Sequence, residues 1–146
     1  MSVQDAPVLS RDFAGSLAAV AEAEAWISGQ SGALGLSAPT EFAINLCVEE
    51  AFVNAISHGG ASQATITVAT EPDGVRVEFA DDGQPFDPTT ASVKRIEGPG
   101  AEIGIGGYGL GLVKKFARRI DYRRLGNRNL LTLVFDAAPA QAVGAR

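Results

Sequence analysis

Residues 47–58, CVEEAFVNAISH, constrain the fold of this chain more than any other stretch. Glu50, Asn54 and His58 recur there at steps of four, so in a helix their side chains stack on one face. Around them stand Leu46, Cys47, Val48, Ala51, Phe52, Val53, Ala55 and Ile56, all apolar or small. A helix that apolar around its circumference belongs in an interior. Polar groups buried there without partners cost about 1–3 kcal/mol each, so other side chains or a ligand must meet them. Glu50 and Asn54 together offer oxygen donors, the kind that Mg²⁺ takes. His58 reads more readily as a capping or packing residue than as a metal ligand or catalyst. Glu49 lies about 100° round the helix from Glu50 and is expected on the solvated side.

A chain of 146 residues suits one domain, 1–146, with an ordered core expected over about 8–136. Hydrophobic residues at 46% and charged residues at 20% mark a globular composition rather than a disordered one. The net charge is −5, and the basic residues are scattered apart from four adjacent pairs beginning at Lys94, Lys114, Arg118 and Arg123. That distribution lacks the basic footprint of a nucleic-acid binder. No apolar run reaches the ~18–20 residues of a membrane span, and the first residues lack a signal-peptide layout. With Cys47 as the single cysteine there is no internal disulfide, which fits a reducing compartment. A soluble cytoplasmic protein without membrane or nucleic-acid partners is expected. One histidine and one cysteine come close to excluding a zinc site.

The periodicity predicts an edge strand within residues 3–13, with Pro7 a complication. A helix is predicted over about 15–30, after which Gly29, Gly32 and Gly35 punctuate the chain. Ser37 as N-cap, Pro39 just after it and Glu41 in the first turn open the long helix that ends at His58-Gly59-Gly60. Strands over 64–69 and 75–80, joined by Pro72-Asp73-Gly74, form a hairpin. A loop rich in Gly, Pro, Asp and Thr follows, with a lid over about 87–106. A helix over about 108–119 and strands over 120–125 and 130–136, meeting at Gly126-Asn127, complete the chain. This order predicts a two-layer α/β (α+β) sandwich.

Two further boxes carry chemistry. Asp81-Asp82-Gly83-Gln84-Pro85-Phe86-Asp87-Pro88 leaves the second strand of the hairpin. An aspartate there can accept from an exocyclic amine, while Gly83 lets a flat ring approach the backbone; an ordinary acidic Asx turn is the plainer alternative. Gly104-Ile105-Gly106-Gly107-Tyr108-Gly109-Leu110-Gly111-Leu112 runs into a helix. Amides at such a helix start can cradle phosphates, with Lys114 and Lys115 close behind. GIGGYG also satisfies the dinucleotide fingerprint literally, but the preceding stretch, ending in GPGAEIG, is not strand-like and the box lies near the C-terminus, so that match is weak.

The ordered set E-x-x-x-N, strand–D-x-G, then G-x-G-L-G before a helix resembles the GHKL ATPase superfamily. More narrowly, VEEAFVNAISHG, DDGQPFDP and GGYGLGLVKK resemble the bacterial anti-sigma-factor serine/threonine kinases, over residues 8–135 or so. The resemblance implies a Bergerat-type ATP-binding fold, with helices on one face of a mixed, mostly antiparallel sheet. It implies Glu50 as general base, Asn54 as the Mg²⁺ holder, Asp81 on the adenine amino group and Gly83 lining the base pocket. Gly107, Tyr108, Gly109, Leu110 and Gly111 would embrace the phosphates of ATP. Implied partners are a sigma factor or analogous regulator, an anti-anti-sigma-type antagonist as phosphorylation substrate, and a second copy in a homodimer.

A histidine kinase reading is not expected, since too little chain precedes Glu41 for a phospho-accepting helical hairpin. Pro85 replaces the second glycine of D-x-G-x-G, which the anti-sigma branch often tolerates. The lid carries chiefly Lys94 and Arg95 as basic residues. Ile105 and Gly106 stand where kinases of the branch often place a basic residue. The alternative is therefore a nucleotide-gated module that sequesters its partner without transferring phosphate.

Overall fold

Alternation at period two builds the sheet. In β2 (Gln63–Glu71) Ala64, Ile66 and Val68 are buried, in β3 (Gly74–Asp81) Val75, Val77 and Phe79, and in β5 (Arg128–Asp136) Leu131, Leu133 and Phe135. One face of each strand is thereby committed to a core. The computed structural model describes residues 8–89 and 116–136. With β1 (Val8–Ala14) and β4 (Arg119–Leu125) at the edges, the strand order is β1-β2-β3-β5-β4. Every pairing between described strands is antiparallel, so no parallel pair of the expected mixed sheet occurs among them.

Two helices, α1 (Leu17–Leu34) and α2 (Ala38–Ser57), share one hydrophobic core with the sheet, giving the two-layer α+β fold. Aromatic rings run through that core edge to face: Trp26 against Phe13 (5.9 Å), Phe13 against Phe52 (6.3 Å) and Phe52 against Phe79 (5.3 Å). They tie the edge strand and both helices to the middle of the sheet. Such pairs add about 0.5–1.5 kcal/mol beyond the area they bury.

Local chemistry explains the helix limits. Ser37 caps α2 as expected, its Oγ accepting from Thr40 N–H at 3.3 Å, with Glu41 in the first turn. The first helix runs four residues further than the sequence predicts, through Gly29 and Gly32 to Leu34. Buried Ile27 and Leu34 hold that last turn on the core, which offsets the low helix propensity of the two glycines. Only at Gly35 does the chain turn left-handed, at φ 69°, and stop.

The helix predicted over 108–119 is corrected at its end. Ala117 and Arg118 are not helical and Arg119 already belongs to β4. Arg118 N–H donates to Val134 O at 2.7 Å and its guanidinium pairs with Asp136 and Asp73, which draws this stretch onto the sheet. Phe116 is helical, while residues 108–115, the glycine box and residues 90–106 of the lid lie outside the described residues.

The α1–α2 seam is polar on its outer side. Asn45 Nδ2 donates to Ser28 Oγ at 3.1 Å, and hydrogen bonds from Ser28 and Ser31 hold the Glu41 carboxyl below its usual range. Burial first, then a hydrogen bond and the charge of Glu49, push the Glu24 carboxyl from 4.5 up to about 7. The folded chain thus keeps a proton that the unfolded chain has released, and stability falls as pH rises from 4.5 towards 7. Glu24→Gln is expected to flatten that fall when urea denaturation is compared at pH 5 and pH 8. An unchanged slope would remove the shared proton from this seam.

Candidate functional site

One turn of α2 separates Glu50 from Asn54, and both side chains border a cleft between that helix and the sheet. The cleft holds about 560 Å³ including its open mouth. Ala51 and Ala55 form its helical floor, and Phe79, Leu131 and Tyr122 its sheet side. Asp81, Asn129 and Phe86 close one end.

Strand register creates that end. Asp81 and Asn129 are directly opposite each other across β3 and β5, on the helix-facing side. Both are only 5% exposed. Asp81 Oδ1 accepts from Gly83 N–H at 2.8 Å and from Asn129 Nδ2 at 3.0 Å. The carboxylate therefore closes an Asx-type turn with one oxygen and keeps Oδ2 without a partner among the described residues. Asn129 is the hub. Its Nδ2 also donates to Gln84 O at 2.9 Å, and its Oδ1 accepts from Tyr122 OH, from Arg124 Nη1 at 3.2 Å and from Phe86 N–H at 3.4 Å. Arg124 Nη1 in turn donates to Gly83 O at 2.8 Å.

The adjacent aspartate has another task. Asp82 accepts from the Ser62 hydroxyl and from Ser62 and Gln63 N–H, at 2.7 and 3.1 Å for the two amides. The Ser62 hydroxyl in particular holds its carboxyl below the usual range. Asp82 pins the loop to the start of β2, whereas Asp81 faces the cleft.

Gly83 stands against the end of α2. A Cβ there would stand 2.8 Å from Gly59 O and 3.0 Å from Asp81 Oδ1, and Gln84 N–H donates to Gly59 O at 2.8 Å. Close backbone contact with the end of α2 accounts for this glycine. Gly59, not Gly83, lines the cleft.

At the other end, Glu50 Oε2 and Asn54 Oδ1 are buried without a hydrogen-bond partner among the described residues. Only four described side-chain atoms share that condition, and these two sit a turn apart in one cleft. Native interiors satisfy nearly all such atoms, so a pair of orphaned oxygens marks a place for a ligand. Burial above all, with the charge of Glu49 second, raises the Glu50 carboxyl above its usual range. His58 stacks on Phe86, and among the described residues no cluster of three or more His, Cys, Asp or Glu could hold a metal by itself. Gly107, Tyr108, Gly109, Leu110 and Gly111 lie outside the described residues.

Residues 13–135 match the family of histidine kinase-like ATPase domains. This chain belongs to that family. The ATPase domain is 32% identical over 107 residues to the serine/threonine-protein kinase BtrW of Bordetella bronchiseptica, covering 70% of this chain and 75% of the relative. Its fold also matches the RsbU and RsbW domains of Rv1364c from Mycobacterium tuberculosis, with a TM-score of 0.64 at 17% identity. That match covers 88% of this chain but spans only 32% of the other. The histidine kinase AdeS of Acinetobacter baumannii gives a TM-score of 0.52 at 14% identity, covering 92% and 70% of the two chains. The two structural matches speak to fold alone. Family membership makes the chain an ATP-binding module of the ATPase/kinase type.

Sequence reasoning passed over Asn129, Tyr122 and Arg124. The one available signal was an asparagine at the head of an apolar strand, and it reads equally well as a turn residue beside Gly126-Asn127. Asn129→Asp tests the hub at constant volume, since a carboxylate there would face Asp81 and lose the Nδ2 donors. The expected result is a loss of roughly 1–3 kcal/mol in urea denaturation at pH 7. Wild-type stability in that variant would contradict the arrangement.

Proposed function

We propose that this ATPase domain binds Mg²⁺-ATP in the cleft and transfers the terminal phosphoryl group to a serine or threonine of an antagonist protein. In the same partner-switching circuit it would bind a sigma factor or analogous regulator. The observation that carries this reading is the orphaned pair, Glu50 Oε2 and Asn54 Oδ1, on one helix face opposite the Asp81 end of the same cleft. The name of the Bordetella relative, a serine/threonine-protein kinase, supports the choice of acceptor. A homodimer and a cytoplasmic setting complete the proposal. Among the described residues, no helix is long and apolar enough to cross a membrane.

Each residue then has a task set by its surroundings. Asp81 Oδ2 accepts from the adenine amino group, its orientation fixed by Gly83 N–H and Asn129 Nδ2 on the other oxygen. Both orphaned groups are oxygen donors and so fit Mg²⁺, with Asn54 Oδ1 as the ligand. The metal ion, when bound, neutralises charge on the phosphates. By the resemblance in sequence, amides from Gly107 to Gly111 would hold those phosphates. Glu50, with its raised carboxyl pKa, takes the proton from the acceptor hydroxyl as its oxygen bonds to the γ-phosphorus and the bond to the ADP oxygen breaks.

One sequence observation favours a second reading. Ile105 and Gly106 occupy positions where related kinases often carry a basic residue, which suits a nucleotide-gated sequestering module without transfer. Glu50→Gln separates the two when radiolabelled ATP is offered with an antagonist protein encoded alongside. The variant is expected to bind ATP and lose about 10²–10⁴-fold in transfer rate. Transfer at the wild-type rate would strip Glu50 of its role. ATP binding by the wild type with no transfer to the antagonist would favour sequestration.

A further inference from the structure

We infer that His58 is a positioning residue for the base end of the cleft, acting through Phe86; the inference rests on the ATP reading above. His58 terminates α2, but the cap itself is made by its backbone N–H, which reaches Asn54 O at 2.8 Å. Any residue with an N–H could do that in its right-handed conformation (φ −102°). The imidazole is spent elsewhere. It lies parallel to the Phe86 ring, 4.8 Å between centroids and 9° between planes. The other four ring pairs among the described residues cross edge to face at 65–80°.

Phe86 needs such a brace. It lines the cleft beside Asp81, in a loop that has left β3 and has no regular structure. Its neighbour Pro85 has no N–H to offer, and its own N–H makes a long 3.4 Å contact with Asn129 Oδ1. The stack supplies what the main chain does not, a fixed tilt for a flat wall beside the group that would read the base. His58 itself is exposed and does not line the cleft, so its effect passes through Phe86. Because His58 follows Glu50 and Asn54 at steps of four, one helix sets both ends of the cleft. The metal-binding end is set directly, and the base end through this ring pair.

A brace on the base wall has a distinctive readout, since ATP and ADP share the base. Calorimetric titrations of wild type, His58→Ala, His58→Gln and His58→Tyr with ATP and with ADP test it. His58→Ala and His58→Gln are expected to lose roughly 3–10-fold in affinity for both nucleotides, and His58→Tyr to recover most of it through a second planar ring. A role limited to ending the helix would disturb Asn54 instead, weakening Mg²⁺-ATP more than Mg²⁺-free nucleotide and ignoring the tyrosine. A double-mutant cycle guards against general loss of structure: in a Phe86→Leu background, His58→Ala is expected to cost nothing further. Undiminished affinity in His58→Ala, or a tyrosine as weak as the alanine, would overturn the His58 assignment alone. Failure of the wild type to bind either nucleotide would overturn the ATP reading and this inference with it.

Discussion

The Asp81–Asn129 pair is the interaction on which the cleft depends. A carboxylate 5% exposed beside Phe79 and Leu131 is costly unless its oxygens are met. Asn129 meets one of them from the opposite strand, and the same amide gathers the Gln84 carbonyl, Tyr122, Arg124 and the Phe86 amide. Such a network is stable only when nearly complete, which is why it specifies a single arrangement of the loop after β3. Register does the rest. With Val77 opposite Leu133 and Phe79 opposite Leu131, Asp81 must fall opposite Asn129. A one-residue slip would turn both to the other face of the sheet.

The second helix carries two opposing demands. Its core side is tightly packed, with Ile44, Cys47, Val48 and Phe52 fully buried. Its cleft side leaves Glu50 Oε2 and Asn54 Oδ1 unmet. Burial within the same apolar surroundings raises the Cys47 thiol to about 12, so that side chain packs and does not react. Packing on one side thus holds rigid the groups that stay unsatisfied on the other. This is how a stable fold can keep a polar site ready for a ligand.

What could be read from the sequence was what is locally encoded. Ser37, Pro39 and Glu41 announce the start of α2, and the four-residue step from Glu50 to Asn54 needs only a helix to align them. The turn at Pro72-Asp73-Gly74 likewise announces the β2–β3 hairpin. Asn129 was illegible because its partner lies 48 residues away in the chain, and only the pairing of β3 with β5 joins them. The close approach of Gly83 to Gly59 was illegible for the same reason, since Gly59 belongs to another element. The overrun of α1 through Gly29 and Gly32 has the same origin: burial of Ile27 and Leu34 overrides local propensity.

On the proposed function, the orphaned oxygens on α2 complete a metal–nucleotide site. Calorimetric titration with ATP, with and without Mg²⁺, on wild type and Asn54→Ala is the experiment to make. The wild type is expected to bind ATP in a Mg²⁺-dependent way, and the variant to bind Mg²⁺-free ATP while gaining nothing from the ion. Equal losses with and without the ion, or a wild type indifferent to Mg²⁺, would contradict it.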